Sequence, residues 1–203
     1  MTTTETQAPD GVSDRRLRVG IIIGSTRPGR KGEEIAAWVH QHAGASRHHE
    51  AAVFEVVDLI DHNLHHLDEK VPAVFGDYAH EHTHRWSTRV AELDAFVIVV
   101  PEYNHSFPGS LKTALDFLYA EWHDKAVGFV SYGVEGGSRA VEQLRTVAAE
   151  LRLADVPTAV HLWLGKDLDG SRVVETDHLA GQMDALLDDV VAWGGLLRGH
   201  REA

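Results

Sequence analysis

Three stretches of the chain carry residue types that could grip a small anionic or aromatic ligand. In "GSTRPGRKG", Gly24 permits a tight turn, and Ser25 and Thr26 bring hydroxyls and amides. The helix expected to follow would present its amino-terminal dipole, so the stretch suits an anion. Arg27 and Arg30 add charge-assisted, two-pronged donors that match a phosphate. The plainer reading of the same residues is a polar strand-to-helix turn with solvated arginines. A Walker-type lysine loop is excluded, because Gly-x4-Gly-Lys-Ser/Thr does not occur.

The second stretch is "PEYNHSFPGSLKTALDFLY", directly after the apolar "AFVIVV". Pro101 should end a strand, Pro108 and Gly109 should delay the next helix, and Ser110 is placed to cap it. The loop between them offers amides, Tyr103, Asn104 and Ser106, a mixture able to recognise a flat heterocycle by ring contact and edge hydrogen bonds. Glu102 and His105 invite an acid-base reading, against which stands a solvated surface glutamate. In the third stretch, "SYGVEGGSRAVEQL", Gly133, Gly136 and Gly137 allow close backbone approach. Ser131, Tyr132 and Ser138 supply hydroxyls there.

The elements that must position these loops follow from periodicity. "LRVGIIIG", "AFVIVV" and "KAVGFVSYG" are short continuous apolar runs, as strands buried on both faces are, while "AAVFEVVDL" mixes in charge and fits an edge. "TAVHLWL" is the fifth candidate. Helical spacing joins Ile35, Ala36, Val39 and Ala43. It recurs over Leu111 to Leu118, over Val141 to Leu151 and over Leu179 to Val191, and more weakly at Trp86, Val90 and Leu93. Five alternations joined by right-handed crossovers predict a doubly wound α/β sheet. Neither glycine loop is a GxGxxG turn, so the expected arrangement is the flavodoxin-like five-stranded parallel sheet in the order 2-1-3-4-5, with helices on both faces. Its switch point lies between strands one and three, where the three loops would meet. Residues 1–16 are Thr-rich and polar, which predicts a flexible tail ahead of a single domain over 17–203. The aperiodic Asp61–Tyr78 segment predicts a long functional loop.

Composition narrows the classes. A formal charge of −12 argues against nucleic-acid or anionic-membrane partners. The chain has no cysteine, which excludes disulfides, thiolate nucleophiles and iron-sulfur ligation, so redox activity would need a cofactor. No segment is apolar over the ~18 residues of a membrane span, and a cytoplasmic protein is expected. Fifteen histidines raise a metal question. If His80 to His84 are helical, His82 is turned about 200 degrees from His80 and His84, so the three cannot converge, and solvated histidines rather than a metal site are expected. Trp38 and Trp86 fall on apolar stripes and should be core; Trp122, Trp163 and Trp193 could face a subunit or a ligand mouth.

At the three loops the sequence resembles the NADPH-dependent FMN reductase family, flavodoxin-like proteins that include quinone, azo-dye and chromate reductases. "GSTRPGR", "PEYNHSFPGSLKTALDFLY" and "KAVGFVSYGVEGGSRAVEQLR" carry the likeness, from Leu17 to about Val156. It departs at Pro28 to Lys31, where many members have a serine or small polar residue. The resemblance implies FMN, with Ser25, Arg27 and Arg30 around its phosphate. Pro101, Glu102, Tyr103 and Asn104 would lie along its ring, and Ser131, Tyr132 and Gly133 would close the other side. It implies hydride from NADPH or NADH to FMN N5, then electrons to a small acceptor such as a flavin, quinone, azo or nitro compound. It also implies a homodimer or homotetramer. The alternative is a non-enzymatic electron carrier that keeps FMN but reacts with protein partners.

Overall fold

The computed structural model describes residues 16–203. The expected tail, residues 1–16, lies outside them except for Arg16, whose Nη1 donates to the His49 carbonyl at 3.1 Å. The apolar runs form β1 (Leu17–Ile23), β2 (Ala52–Asp58), β3 (Ala95–Pro101), β4 (Lys125–Gly133) and β5 (Leu153–Trp163). They pair in the order β2-β1-β3-β4-β5, every pair parallel. Every residue of β3 and β4 is buried, as strands covered on both faces must be, while β2 at the edge leaves Val56 exposed.

The helices are α1 (Gly32–Ala45), α2 (Leu59–His62), α3 (Glu81–Ala91), α4 (Gly109–Asp116), α5 (Ser138–Glu150) and α6 (Asp177–Arg201). Side-chain alternation splits the core into two layers. Val19, Ile21, Val97 and Val130 meet α1 and α6 through Ile35, Val39, Met183 and Leu187. Ile22, Phe96, Ile98 and Phe129 meet α3, α4 and α5 through Trp86, Leu111 and Leu144. Each large side chain so buried contributes about 2 kcal/mol in transfer free energy. Gly128 in β4 is needed for contact: a Cβ there would lie 2.6 Å from Leu186 Cδ1 and 2.8 Å from Val190 Cγ2 of α6.

Several expectations from sequence change. β5 begins at Leu153 rather than at Thr158, because a bulge interrupts its apolar alternation. Val127 pairs with Asp155 and Phe129 with Ala159, so Gly128 faces Val156, Pro157 and Thr158. Arg145 satisfies the bulge by donating to the Val156 carbonyl at 2.9 Å and the Pro157 carbonyl at 3.0 Å. The Asp61–Tyr78 segment is not wholly irregular: Asp61 and His62 finish α2, and Ala73–Phe75 form a 3-10 turn. Trp122 is core, 1% exposed, its ring centroid 5.1 Å from that of Phe96 and its Nε1 donating to the Leu115 carbonyl at 3.2 Å. A short antiparallel hairpin, β6 (Leu168–Asp169) and β7 (Arg172–Val173), follows β5 and was not expected. Trp86 is buried as expected, and half-buried Trp38 rests against the α1 layer.

The histidine segment also differs in detail. α3 starts at Glu81 and His80 precedes it with extended backbone, so the His80 and His82 rings stack at 5.2 Å rather than diverge. Both turn toward Asp68, His82 Nε2 at 3.0 Å from Oδ1 and His80 Nε2 at 3.3 Å from the carbonyl. Among the described residues, no three histidine, aspartate or glutamate side chains are arranged to hold a metal ion.

A buried polar knot closes the amino end of the sheet. Asp94 accepts from the Arg18 amide at 2.9 Å and from Arg201 Nη2 at 3.0 Å. Lys125, 4% exposed, donates Nζ to the Val90 carbonyl at the end of α3 at 2.8 Å. Burial pushes the Lys125 ammonium down to about 7; the charge of Arg201 acts the same way and that of Asp94 opposes both.

Candidate functional site

At the other end of the sheet, the loops after β1, β3 and β4 enclose an open cleft of about 150 Å³ lined by Arg27, Arg30, Pro101, Tyr103, Tyr132 and Gly133, with Leu164 at its edge. This is the strand-order switch point, where loops from adjacent strands splay apart and leave room for a ligand.

The β1–α1 loop starts with the Gly24 amide donating to the Val99 carbonyl at 2.9 Å, which fixes where the chain leaves the sheet. Ser25 is 1% exposed; its Oγ accepts from the Arg27 amide at 3.4 Å and lies 2.9 Å from the Tyr103 hydroxyl. The amides of Thr26, Gly29 and Lys31 donate to no described residue. Arg27 is exposed on the cleft and its guanidinium makes no bond among the described residues. Arg30 differs. Its side chain is 3% exposed, Nη1 donates to the Ser25 carbonyl at 2.9 Å, and Nη2 reaches Glu33 at 2.7 Å and Asp58 at 2.5 Å. Arg30 Nε is buried with no partner among the described residues. Lys31 Nζ donates to the Gly170 carbonyl, strapping the β6–β7 hairpin to the start of α1.

The β3–α4 loop is a tight reversal. The Tyr103 amide donates to the Ser106 carbonyl at 2.8 Å and the Ser106 amide returns to the Tyr103 carbonyl at 3.0 Å. Asn104 and His105 between them have φ of 52° and 66°, the pair of left-handed conformations that a type I′ turn requires. The Glu102 carboxylate is occupied: it accepts from the Arg139 amide at 3.2 Å and from Arg139 Nη1 at 2.8 Å. Pro101, Glu102 and Tyr103 all line the cleft, with the Glu102 carboxylate engaged by Arg139 and the Glu102 amide by the Tyr132 carbonyl at 2.9 Å. Ser110 does not cap α4, which begins one residue earlier; its Oγ donates to the Gly24 carbonyl at 3.2 Å and so joins the first two loops.

Behind the third loop, buried Ser131 donates Oγ to the Gly136 carbonyl at 2.7 Å and lies 2.7 Å from His161 Nδ1. With the serine hydrogen directed to the carbonyl, that ring nitrogen is the donor to Oγ. Burial is the main force lowering the His161 pKa, which keeps the ring neutral. Gly137 has φ of 80°, and a Cβ there would lie 2.9 Å from both Ser131 Cβ and the Tyr132 nitrogen, so only glycine lets the turn fold onto β4. Tyr132 runs under the start of α1. Its hydroxyl is buried with no hydrogen-bond partner of full geometry, and burial first, then the nearby Tyr103, raises its pKa. Ser131 therefore acts from behind the cleft, while Tyr132 and Gly133 line it.

Sequence reasoning did not single out Arg139, Gln143, His161, Asp58 or Lys31, each of which holds a cleft loop. Arg139 and Gln143 share one face of α5 at four-residue spacing, a signal available beforehand; Asp58 and His161 are brought in by strand pairing alone.

The chain belongs to the NADPH-dependent FMN reductase family, whose sequence pattern matches residues 17–165. It is 38% identical over 152 residues to an NAD(P)H-dependent FMN reductase of Schizosaccharomyces pombe, covering 74% of each chain. It is 26% identical over 187 residues to a 2-hydroxy-1,4-benzoquinone reductase of Burkholderia sp, covering 87% of this chain and 96% of the relative. The fold matches that of a flavoenzyme NAD(P)H:acceptor oxidoreductase from Paracoccus denitrificans with a TM-score of 0.65 at 22% identity, over 86% and 97% of the two chains. Membership in this family makes the chain an oxidoreductase that works with FMN and NAD(P)H, and favours the enzyme over the electron carrier.

The cleft suits such a cofactor. A phosphate needs several donors close together, and the amides of Thr26, Gly29 and Lys31 and the Arg27 guanidinium, none bonded to a described residue, lie together on the loop that leads into the amino end of α1. Arg30 Nε, buried with no partner among the described residues, and the Tyr132 hydroxyl, with none of full geometry among them, belong to residues lining the same cleft.

Proposed function

We propose that this cleft is where the enzyme holds FMN, passing electrons from NADPH or NADH to a small-molecule acceptor of the quinone type. FMN, when bound, supplies the redox chemistry by accepting a hydride and releasing electrons onward. The chain's residues bind and orient. Ser25 and Arg27, with the free loop amides, hold the phosphate; Arg30 takes its part by fixing the Ser25 carbonyl and offering Nε. Pro101, Glu102, Tyr103 and Asn104 lie along the ring through backbone and the tyrosine ring. Ser131 braces the opposite wall that Tyr132 and Gly133 form. No side chain here is asked for general acid-base work, since the Glu102 carboxylate is tied to Arg139. Preorganised amides suffice to stabilise negative charge at the ring's polar edge.

The observation that carries this reading is the set of amides at Thr26, Gly29 and Lys31, without partners among the described residues, beside Arg27. A quinone acceptor is supported by the benzoquinone reductase among the relatives. Exposed Val134 and Leu164 on the cleft, with exposed Trp163 next to Leu164 in the chain, support a homodimer or homotetramer that covers them. A cytoplasmic location agrees with the use of NAD(P)H. The test is an absorption spectrum of the purified protein reconstituted with FMN, taken before and after anaerobic NADPH. Flavin bands that bleach with NADPH alone are expected; a protein that takes up no FMN refutes the assignment.

A further inference from the structure

Two residues of α5 grip the β3–α4 loop from outside the cleft. Arg139 holds the Glu102 carboxylate with its amide and Nη1 at 3.2 and 2.8 Å. One turn on, the Gln143 amide makes two bonds: Nε2 donates to the His105 carbonyl at 2.7 Å, and Oε1 accepts from Ser106 Oγ at 2.5 Å. Both bonds land on the second half of the type I′ turn. That half is its weak point. Asparagine tolerates the first left-handed position, but the second, where glycine is the usual residue, holds His105 at φ 66° with a Cβ that crowds its own backbone. The turn's own two backbone bonds close it without relieving that crowding; Gln143 ties down the carbonyl of the strained residue itself.

We propose that Gln143 is a positioning residue that keeps the Tyr103–Ser106 turn in its left-handed form, and thereby sets how tightly the flavin ring is held and at what potential it is reduced. The inference rests on the reading above that the ring lies along this loop. Gln143 is remote in sequence from the turn and does not line the cleft. Its two bonds hold His105 and Ser106, and Ser106 in turn pairs with the Tyr103 carbonyl and amide, so they act on the peptides on either side of Tyr103, the residue of this turn that lines the cleft. A turn free to leave the left-handed form presents those peptides less often in the binding geometry, which weakens the oxidised complex and weakens the reduced, more negative one further.

The test uses the full chain and three variants: Gln143→Leu, His105→Gly, and both together. Each apoprotein is titrated with FMN by fluorescence quenching, its melting is followed without flavin, and the bound flavin's midpoint potential is measured against a reference dye. Gln143→Leu is expected to weaken FMN binding about tenfold and lower the potential, with apoprotein melting close to wild type, because the two hydrogen bonds lost are exposed ones. Adding His105→Gly should restore both affinity and potential, since glycine adopts the left-handed conformation without the clamp. Equal affinity and potential in wild type and Gln143→Leu would overturn the role of Gln143 while leaving the FMN site standing. A loss that His105→Gly does not recover, or one matched by a fall in apoprotein melting, would overturn the turn-holding account. Failure of the wild-type chain to bind FMN would instead remove the reading beneath it.

Discussion

The Tyr103 hydroxyl lies 2.9 Å from Ser25 Oγ, a contact between residues 78 apart in sequence that joins the loop after β1 to the loop after β3. The two loops that would hold opposite ends of a flavin are thus braced against each other by side chains as well as by the Ser110 bond to the Gly24 carbonyl. Replacing Tyr103 by Phe keeps the ring and removes the brace. We expect about a fivefold loss of FMN affinity, the effect of one hydrogen bond worth about 1 kcal/mol, measured by fluorescence titration of the apoprotein.

The two arginines of the first loop should separate cleanly. Arg27→Ala removes an exposed donor, so stability should stay within about 0.5 kcal/mol of wild type while FMN affinity falls about tenfold. Riboflavin, which lacks the phosphate, should bind the variant as it binds wild type. Arg30→Met leaves the mostly buried Asp58 carboxylate without its partner and should lower apoprotein stability by about 2–3 kcal/mol in urea unfolding, while the exposed Glu33 is solvated. Reversed behaviour, with Arg30 affecting only flavin affinity and Arg27 only stability, would contradict this division.

Gly137→Ala tests the third loop. With φ of 80° and a new Cβ 2.9 Å from the Tyr132 nitrogen, alanine must displace the turn from β4. A loss of about 2 kcal/mol is expected by chemical denaturation, together with weaker FMN binding.

Lys125 gives a pH signature independent of the cleft. Its pKa is about 7 in the folded protein against the ordinary 10.5. Between those values the unfolded chain carries the proton and the folded chain does not, so stability from this group rises with pH across that interval and is flat below it. Thermal melting of wild type from pH 6 to pH 10, compared with Lys125→Met, should show this rise in wild type and its absence in the variant. FMN affinity should be alike in both, because Lys125 sits at the opposite end of the sheet.

The sheet order was readable because its signals are local and redundant: unbroken apolar runs at β1, β3 and β4, charge in β2, and helical stripes between them. The three cleft loops were readable for the same reason, since glycine, proline and short polar residues cluster where those runs stop. What could not be read were pairings across the fold. Arg30 carries the same guanidinium as Arg27, yet β1–β2 pairing brings Asp58 to the end of the neighbouring strand, where its carboxylate holds Arg30, and nothing nearby in sequence announces it. Glu102 looked free for proton transfer until α5 brought Arg139 onto it. The start of β5 was missed because Pro157 and an irregular register hide its alternation, and Trp122 because its 3-10 turn has no helical stripe to assign it to a layer.

The bulge at Pro157 has a consequence for how this chain tolerates insertion and deletion. On β5 three residues stand where β4 has one, a surplus of two, so Val156 and Val160 remain in one layer and Leu153 and Ala159 in the other. A surplus of one would turn the rest of the strand inside out, moving Leu162 to the wrong side and Trp163 into the core. Length variation at this place can therefore occur only in even steps, and a single-residue deletion there should be far more damaging than the removal of a neighbouring pair.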